Sequence, residues 1–258
     1  MNPRVIIVRA AGINRDGDAA RAVTMAGGSA DIVHIGRLID GSVSLGDYAM
    51  LIVPGGFSYG DHLGAGAMLA VDIVHRLGDD IRRFVEDGRA VLGICNVFQV
   101  LVKSGLLPGA TLAKRSASLT HNASGRFECR WVRLAAGPSR SIFTHGIDAP
   151  IEVPVAHGEG RFVMESDAAL DALAANGQVP FRYITTDNQP TELYPANPNG
   201  SRLGIAAVSD ESGRIMGMMP HPENALTPWQ HPRWTRESRT HGDGLAIFQN
   251  GIAWVKHI

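Results

Sequence analysis

Four short runs of apolar residues, at positions 4–9 (RVIIVR), 30–35 (ADIVHI), 48–53 (YAMLIV) and 89–94 (RAVLGI), lack the alternation of a half-exposed strand. Strands of that kind are buried on both faces, and a sheet so buried is a mainly parallel one covered by helices. The connecting stretches agree. The first run passes through a polar, glycine-containing stretch into residues 19–26, which suit a helix, and the third ends in Pro54-Gly55-Gly56. Residues 65–87 predict one long helical region, and the fourth run leads into a helical stretch at 96–103 that Gly105 and Pro108 stop. The pattern predicts a doubly wound, mostly parallel α/β sheet.

From about residue 116 the character changes. Residues 127–134 and 151–155 predict antiparallel strands with polar breaks between them. They read as an elaboration of the same domain, because sheet-like runs return at 181–184, 203–208 and 215–219 before a closing helix at 243–255. The expectation is a single domain over residues 1–258.

Charge narrows the function. With 24 basic and 25 acidic side chains the formal net charge is -1, so no global field points to nucleic acid or an anionic membrane as partner, and a small ligand is expected. The apolar run after Arg4 is too short for a signal peptide or a membrane span, which predicts a cytoplasmic protein. The two cysteines, Cys95 and Cys129, are too few for a disulfide scaffold and are read as thiols.

Ligands of open parallel sheets sit beyond the carboxyl ends of the strands. PGGFSYGD (54–61) and GICN (93–96) both fall there. Cys95, where a buried strand turns into a helix, is either an inert thiol at a strand end or a nucleophile on a sharp turn. The context favours the nucleophile, because such a turn exposes its apex residue and aims the following amides at a tetrahedral oxyanion. A helix N-terminus also favours a thiolate. A nucleophile needs a base and the base an orienting acceptor, and His221 and Glu223 in MMPHPENA (218–225) are candidates. In extended backbone, residues two apart project to the same side. The paired glycines Gly55 and Gly56 suit a loop that aims an amide into the pocket, and the absence of a Lys-Ser/Thr after them argues against a phosphate loop. His157, in AHGEGRF, stands among glycines that allow close approach of a ligand, with Glu159 and Arg161 offering charges of both signs. His34, His62, His75, His145, His231, His241 and His257 show no metal-ligand spacing and are read as surface or packing residues; His121 stays unassigned. Cys129 reads as one face of a strand.

Taken together, these residues resemble the class I glutamine amidotransferases, and more narrowly the glutaminase subunits of phosphoribosylformylglycinamidine synthase. The resemblance rests on PGGFSYGD, GICNVFQ (93–99) with SGLLPG (104–109), SGRFECRWV (124–132), PVAHGEGRF (154–162), YPANPNGS (194–201) and GMMPHPENA (217–225), in the family's order through most of the chain. It implies the flavodoxin-like fold of that class, with Cys95 as nucleophile, His221 as general base and acid, and Glu223 as its partner. By the same resemblance the backbone amides of Gly56 and Asn96 form the oxyanion hole. Gln99 contacts the bound L-glutamine, and the loop of His157, Gly158 and Glu159 holds its amino-acid end. The implied reaction hydrolyses L-glutamine through a γ-glutamyl thioester and passes ammonia to a large, PurL-like synthetase subunit, usually with a small, PurS-like third subunit. The synthetase uses ATP and Mg with formylglycinamide ribonucleotide, and this chain itself needs no cofactor or metal. Residues 227–242, with Trp229, Trp234 and three arginines, suggest a surface segment for docking.

One position departs from the pattern. Val97 stands where the family elbow has glycine, so an isopropyl group must find room or push the turn. The leading expectation is an active glutaminase; a catalytically weak subunit that binds glutamine or completes a complex is the alternative. Another cysteine hydrolase of similar architecture fits the histidine segment less well. A dinucleotide-binding protein is excluded, as the first strand leads into AAGINRDGD and not into a Gly-x-Gly-x-x-Gly turn.

Overall fold

The computed structural model describes residues 2–112 and 114–258. Its elements in chain order are β1 (Arg4–Arg9), α1 (Asp16–Met25), β2 (Ser29–His34), α2 (Ile35–Ile39), β3 (Met50–Val53), α3 (Ala67–Arg76), α4 (Gly78–Glu86), β4 (Ala90–Ile94) and α5 (Asn96–Lys103). There follow β5 (Ala117–Thr120), β6 (Glu128–Ala136), β7 (Ile151–His157), β8 (Arg161–Met164), α6 (Asp167–Ala175), β9 (Phe181–Tyr183), β10 (Ala207–Ser209), β11 (Ile215–Met218) and α7 (Leu245–Val255).

The apolar runs form one six-stranded sheet in the order β2-β1-β3-β4-β11-β10, parallel throughout except for antiparallel β10 at the edge. That order, with β11 as fifth strand, is the flavodoxin-like one, whose ligand crevice opens where the winding reverses. The interior strands β3, β4 and β11 have every residue buried, which is why their sequences show no alternation. Beyond the sheet, β5 pairs with β8, and β6 is flanked by β7 and β9, all antiparallel. This elaboration extends past the predicted 116–155 stretch to Tyr183.

Several elements differ from expectation. The helical region predicted over 65–87 is two helices. Leu77 (φ -117°, ψ 5°) leaves helical geometry, its N–H reaches the carbonyl of Asp72, and its side chain is buried. Gly78 then opens α4 with Asp79 and Asp80 in the first turn, where carboxylates favour a helix start. The run predicted as a strand over 203–208 begins as a tight turn at Arg202–Gly204, with Leu203 at φ 57°, and only Ala207–Ser209 pair. α6 carries no sheet-like signal and escapes a search for strands. Its cap is legible nonetheless: Ser166 Oγ accepts from the Ala169 N–H, and Leu170 and Leu173 fall on one face.

Candidate active site

The decisive local structure is the junction of β4 and α5. Cys95 occupies it with φ 53° and ψ -112°, a left-handed conformation that a non-glycine residue adopts at a cost of about 1–3 kcal/mol. Its neighbours hold it there: its N–H donates to the carbonyl of Met218 at the end of β11 (2.7 Å), and its carbonyl accepts from Phe98 (2.9 Å). The thiol is nearly buried, with Sγ 3.5 Å from the Ala156 carbonyl of β7.

His221 arrives from β11, and its N–H is tied to the carbonyl of Pro154 in β7 (2.8 Å). Sequence spacing predicted extended backbone from His221 to Glu223; instead Pro222–Asn224 form a turn of 3-10 helix. The proline at the first position pre-sets that turn. It brings Glu223 Oε1 to 2.6 Å from His221 Nδ1, with both side chains buried. Nε2 on the other edge is buried and has no hydrogen-bond partner among the described residues. Burial opposes a charge on His221, but the Glu223 carboxylate and the adjacent Cys95 sulfur outweigh it and hold the imidazole well above its ordinary range.

Gly55 lies between the side chains of Cys95 and His221. A Cβ there would stand 2.8 Å from His221 Cε1 and 3.2 Å from Cys95 Cβ, so any side chain would force them apart. Gly56 (φ 153°) packs against the 10–14 loop, where a Cβ would meet the Gly12 carbonyl oxygen at 2.5 Å. Its own N–H makes no hydrogen bond among the described residues.

A cavity of about 130 Å³ opens beside this cluster, lined among others by Gly56, Phe57, Asp61, Cys95, Asn96 and Gln99 on one side and by Phe127, His157, Gly158 and Glu159 on the other. A model of the CobB/CobQ-like glutamine amidotransferase domain matches residues 2–255. The chain belongs to that family. A Dehalococcoides mccartyi relative of this amidotransferase, phosphoribosylformylglycinamidine synthase subunit PurQ, is 44% identical over 99% of this chain and 98% of its own. The PurQ subunit of Treponema denticola is 44% identical over 93% of this chain and 94% of its own. Among solved structures, PurLQS from Thermotoga maritima contains a chain that is 32% identical and matches with a TM-score of 0.75, covering 98% of this chain and 99% of that one.

Within the amidotransferase, the Asn96 side chain is the fastener that sequence reading missed. Its Oδ1 accepts from the Ser58 N–H (3.2 Å) and hydroxyl, and its Nδ2 donates to Asp61 Oδ1 (2.9 Å) and Gln99 Oε1 (3.0 Å). Gln99 Nε2 in turn donates to the Glu159 carbonyl (2.6 Å). Gln99 therefore lines the cavity with both ends of its amide already engaged.

His157, at the end of β7, is buried in the cavity wall. Asn122 Oδ1 accepts from the Gly160 N–H (3.1 Å) and lies 3.0 Å from His157 Nδ1, so the proton sits on Nδ1 and leaves Nε2 as a buried acceptor without a partner among the described residues. Burial, reinforced by the charge of His221, pushes its pKa down to about 4, so it is neutral. Arg161, expected beside the ligand, is absent from the residues lining the cavity. His121 is exposed and lies 3.9 Å from Glu159.

Val97 lies wholly in the core and does not line the cavity. Its Cγ1 is 3.2 Å from where a Cβ on Gly93 would stand, so the room for the isopropyl group comes from that glycine in β4.

A larger cleft, about 790 Å³, lies elsewhere, between residues 136–148 and α7, and contains none of these groups. His231, read as a surface or packing residue, is buried: Nε2 lies 2.5 Å from Glu152 and its ring packs edge-on to Trp131. Glu152, His231 and Glu237 bring three ligand-type atoms together, but Arg233 and Arg239 pair with both carboxylates and match their charge. Among the described residues no helix is long and apolar enough to cross a membrane.

Proposed function

We propose that this chain, as one domain over residues 1–258, is the glutaminase subunit of phosphoribosylformylglycinamidine synthase, hydrolysing L-glutamine to glutamate and ammonia. The observation that carries the reading is the strained Cys95 elbow abutting a buried His221–Glu223 pair, in a chain 44% identical to PurQ subunits over nearly its whole length.

In this mechanism Cys95 Sγ attacks the γ-amide carbon, and the oxyanion that forms is met by the N–H groups of Gly56 and Asn96. Losing one such donor typically costs ~10²–10³ in rate. His221 Nε2 gives its proton to the departing nitrogen, Glu223 balances the imidazole charge, and the C–N bond breaks to leave a γ-glutamyl thioester and ammonia. A water then attacks the thioester, gives its proton to His221, and releases glutamate and the thiol. His157, Gly158 and Glu159 hold the amino-acid end of the substrate, and Gln99 acts by bracing that loop against α5.

Ammonia passes to a PurL-like synthetase subunit, with a small PurS-like subunit in the assembly; the similarity to a chain of the Thermotoga maritima PurLQS structure supports this partnership. The synthetase consumes ATP with Mg to convert formylglycinamide ribonucleotide to formylglycinamidine ribonucleotide, and no cofactor is assigned to this chain. A cytoplasmic place of action is part of this proposal. The alternative, a catalytically weak subunit, is not favoured, since Val97 was its sole support and is accommodated by Gly93.

The test is ammonia release from glutamine with and without the synthetase, comparing the parent with Cys95→Ala. The parent should be active and Cys95→Ala should lose at least ~10³-fold. Full ammonia production by Cys95→Ala would refute the mechanism.

A further inference from the structure

The cavity beside Cys95 has an unbalanced wall. Its charged lining side chains are Asp61 and Glu159, both acidic, with no lysine or arginine among the lining residues. One hydrogen-bonded chain runs from the Asp61 carboxylate to the backbone of Glu159: Asp61 Oδ1 to Asn96 Nδ2, Asn96 Nδ2 to Gln99 Oε1, and Gln99 Nε2 to the Glu159 carbonyl. Asp61 itself stands at φ 53°, a conformation the strapped loop imposes. Among the described residues only its Oδ1 is engaged, by Asn96 and by the Gly66 N–H at 3.4 Å, and Oδ2 has no hydrogen-bond partner there.

Lys103, whose charge reaches both acids, spends its ammonium on the Ala65 carbonyl under the loop. In the same cavity wall, His157 presents a buried Nε2 lone pair with no partner among the described residues and carries no charge of its own. Two carboxylates and an unpaired acceptor, with no lysine or arginine among the lining residues, form a receptor for a group that is positive and rich in N–H donors.

We infer that Asp61, acting with Glu159, is a specificity-determining residue that takes the α-ammonium of the amino-acid substrate and so selects it over amides that lack one. The inference rests on the proposed amide hydrolysis only for the identity of that substrate. Burial and the nearby Glu159 hold the Asp61 carboxyl above its usual range, and a bound ammonium relieves that repulsion.

The experiment is a binding measurement that does not depend on turnover. Calorimetry on Cys95→Ala compares L-glutamine with 4-carbamoylbutanoate, the same amide without the α-amino group. Glutamine should bind ~10-fold or more tightly, as expected for a charge-assisted contact. In Cys95→Ala/Asp61→Asn, which keeps an oxygen for Asn96, that preference should collapse to within about twofold, and Glu159→Gln should weaken it in the same direction. In the active enzyme, Asp61→Asn should raise KM for glutamine by a similar factor with kcat changed far less, a split that a misfolded site would not give. Equal binding of the two amides by Cys95→Ala, or an undiminished preference in the Asp61→Asn variant, would overturn the inference. Inactivity of the parent toward glutamine would count against the function and not against this result.

Discussion

Gly93 and Val97 are read together or not at all. Taken alone, a valine two residues after the cysteine predicts crowding at the helix start. In the folded chain its side chain fills the volume that Gly93 leaves in β4, while Leu101 covers the rest of that glycine, whose Cβ would stand 2.5 Å from Leu101 Cδ1. Val97→Gly should therefore lose roughly 2–3 kcal/mol, from an emptied core site and a glycine in a helix, and should hydrolyse glutamine no faster than the parent. Denaturant melts and ammonia release check the two halves. A variant several-fold faster would mean that the valine strains the elbow after all. Cys95, His221 and Glu223 were legible from residue type and strand-end position. Gly55 as the spacer between the Cys95 and His221 side chains, and Asn96 as the fastener of the loop, were not, because both roles depend on atoms distant in sequence.

At the scale of elements, the site is assembled by tethers between strands and loops. The 10–14 loop is joined to the 55–59 loop by the Ile13–Gly56 bridge and by the Tyr59 N–H to the Ala11 carbonyl (2.7 Å). The 227–242 segment is fixed in a different way. Glu152 of β7, largely buried, receives His231 at 2.5 Å, Arg233 at 2.9 Å and Arg239 at 3.1 Å, while Trp229 and Trp234 stay exposed. Discounted for the exposure of Arg233, removing this shared acceptor should cost about 2 kcal/mol. We expect Glu152→Ala to speed limited proteolysis within 227–242 at least severalfold; an unchanged cleavage rate would show that the segment is held by other contacts. The strands of the central sheet were legible because apolar runs report two-sided burial. β5 and β8 were not singled out, since short antiparallel pairs bury only one face and leave weaker patterns.

Over the whole molecule, two neighbouring histidines pull acid stability in opposite directions. His221, held above its ordinary pKa, contributes stability that is present below the unfolded value and lost as pH rises through the folded one. His157, held down to about 4 against an ordinary 6.5, has the reverse sign. Between those two values the unfolded chain binds a proton that the folded chain does not, so stability falls as pH drops through that window, by up to about 3 kcal/mol. Thermal midpoints from pH 7 to 4.5 should therefore drop more steeply for the parent than for His157→Gln, and parallel curves would contradict the assignment.

The sequence by itself determined the doubly wound sheet, the helices that follow its first and fourth strands, and three residues, Cys95, His221 and Glu223, that the fold brings together. Those features follow from local apolar pattern and from residue types that chemistry restricts. The tertiary structure alone decided that α3 and α4 are separate, that Glu223 reaches His221 through a tight turn, that Val97 packs over Gly93, and that the cavity wall is acidic because Asp61 lines it and Arg161 does not. Each of these rests on contacts between side chains far apart along the chain, whose distances no local pattern encodes.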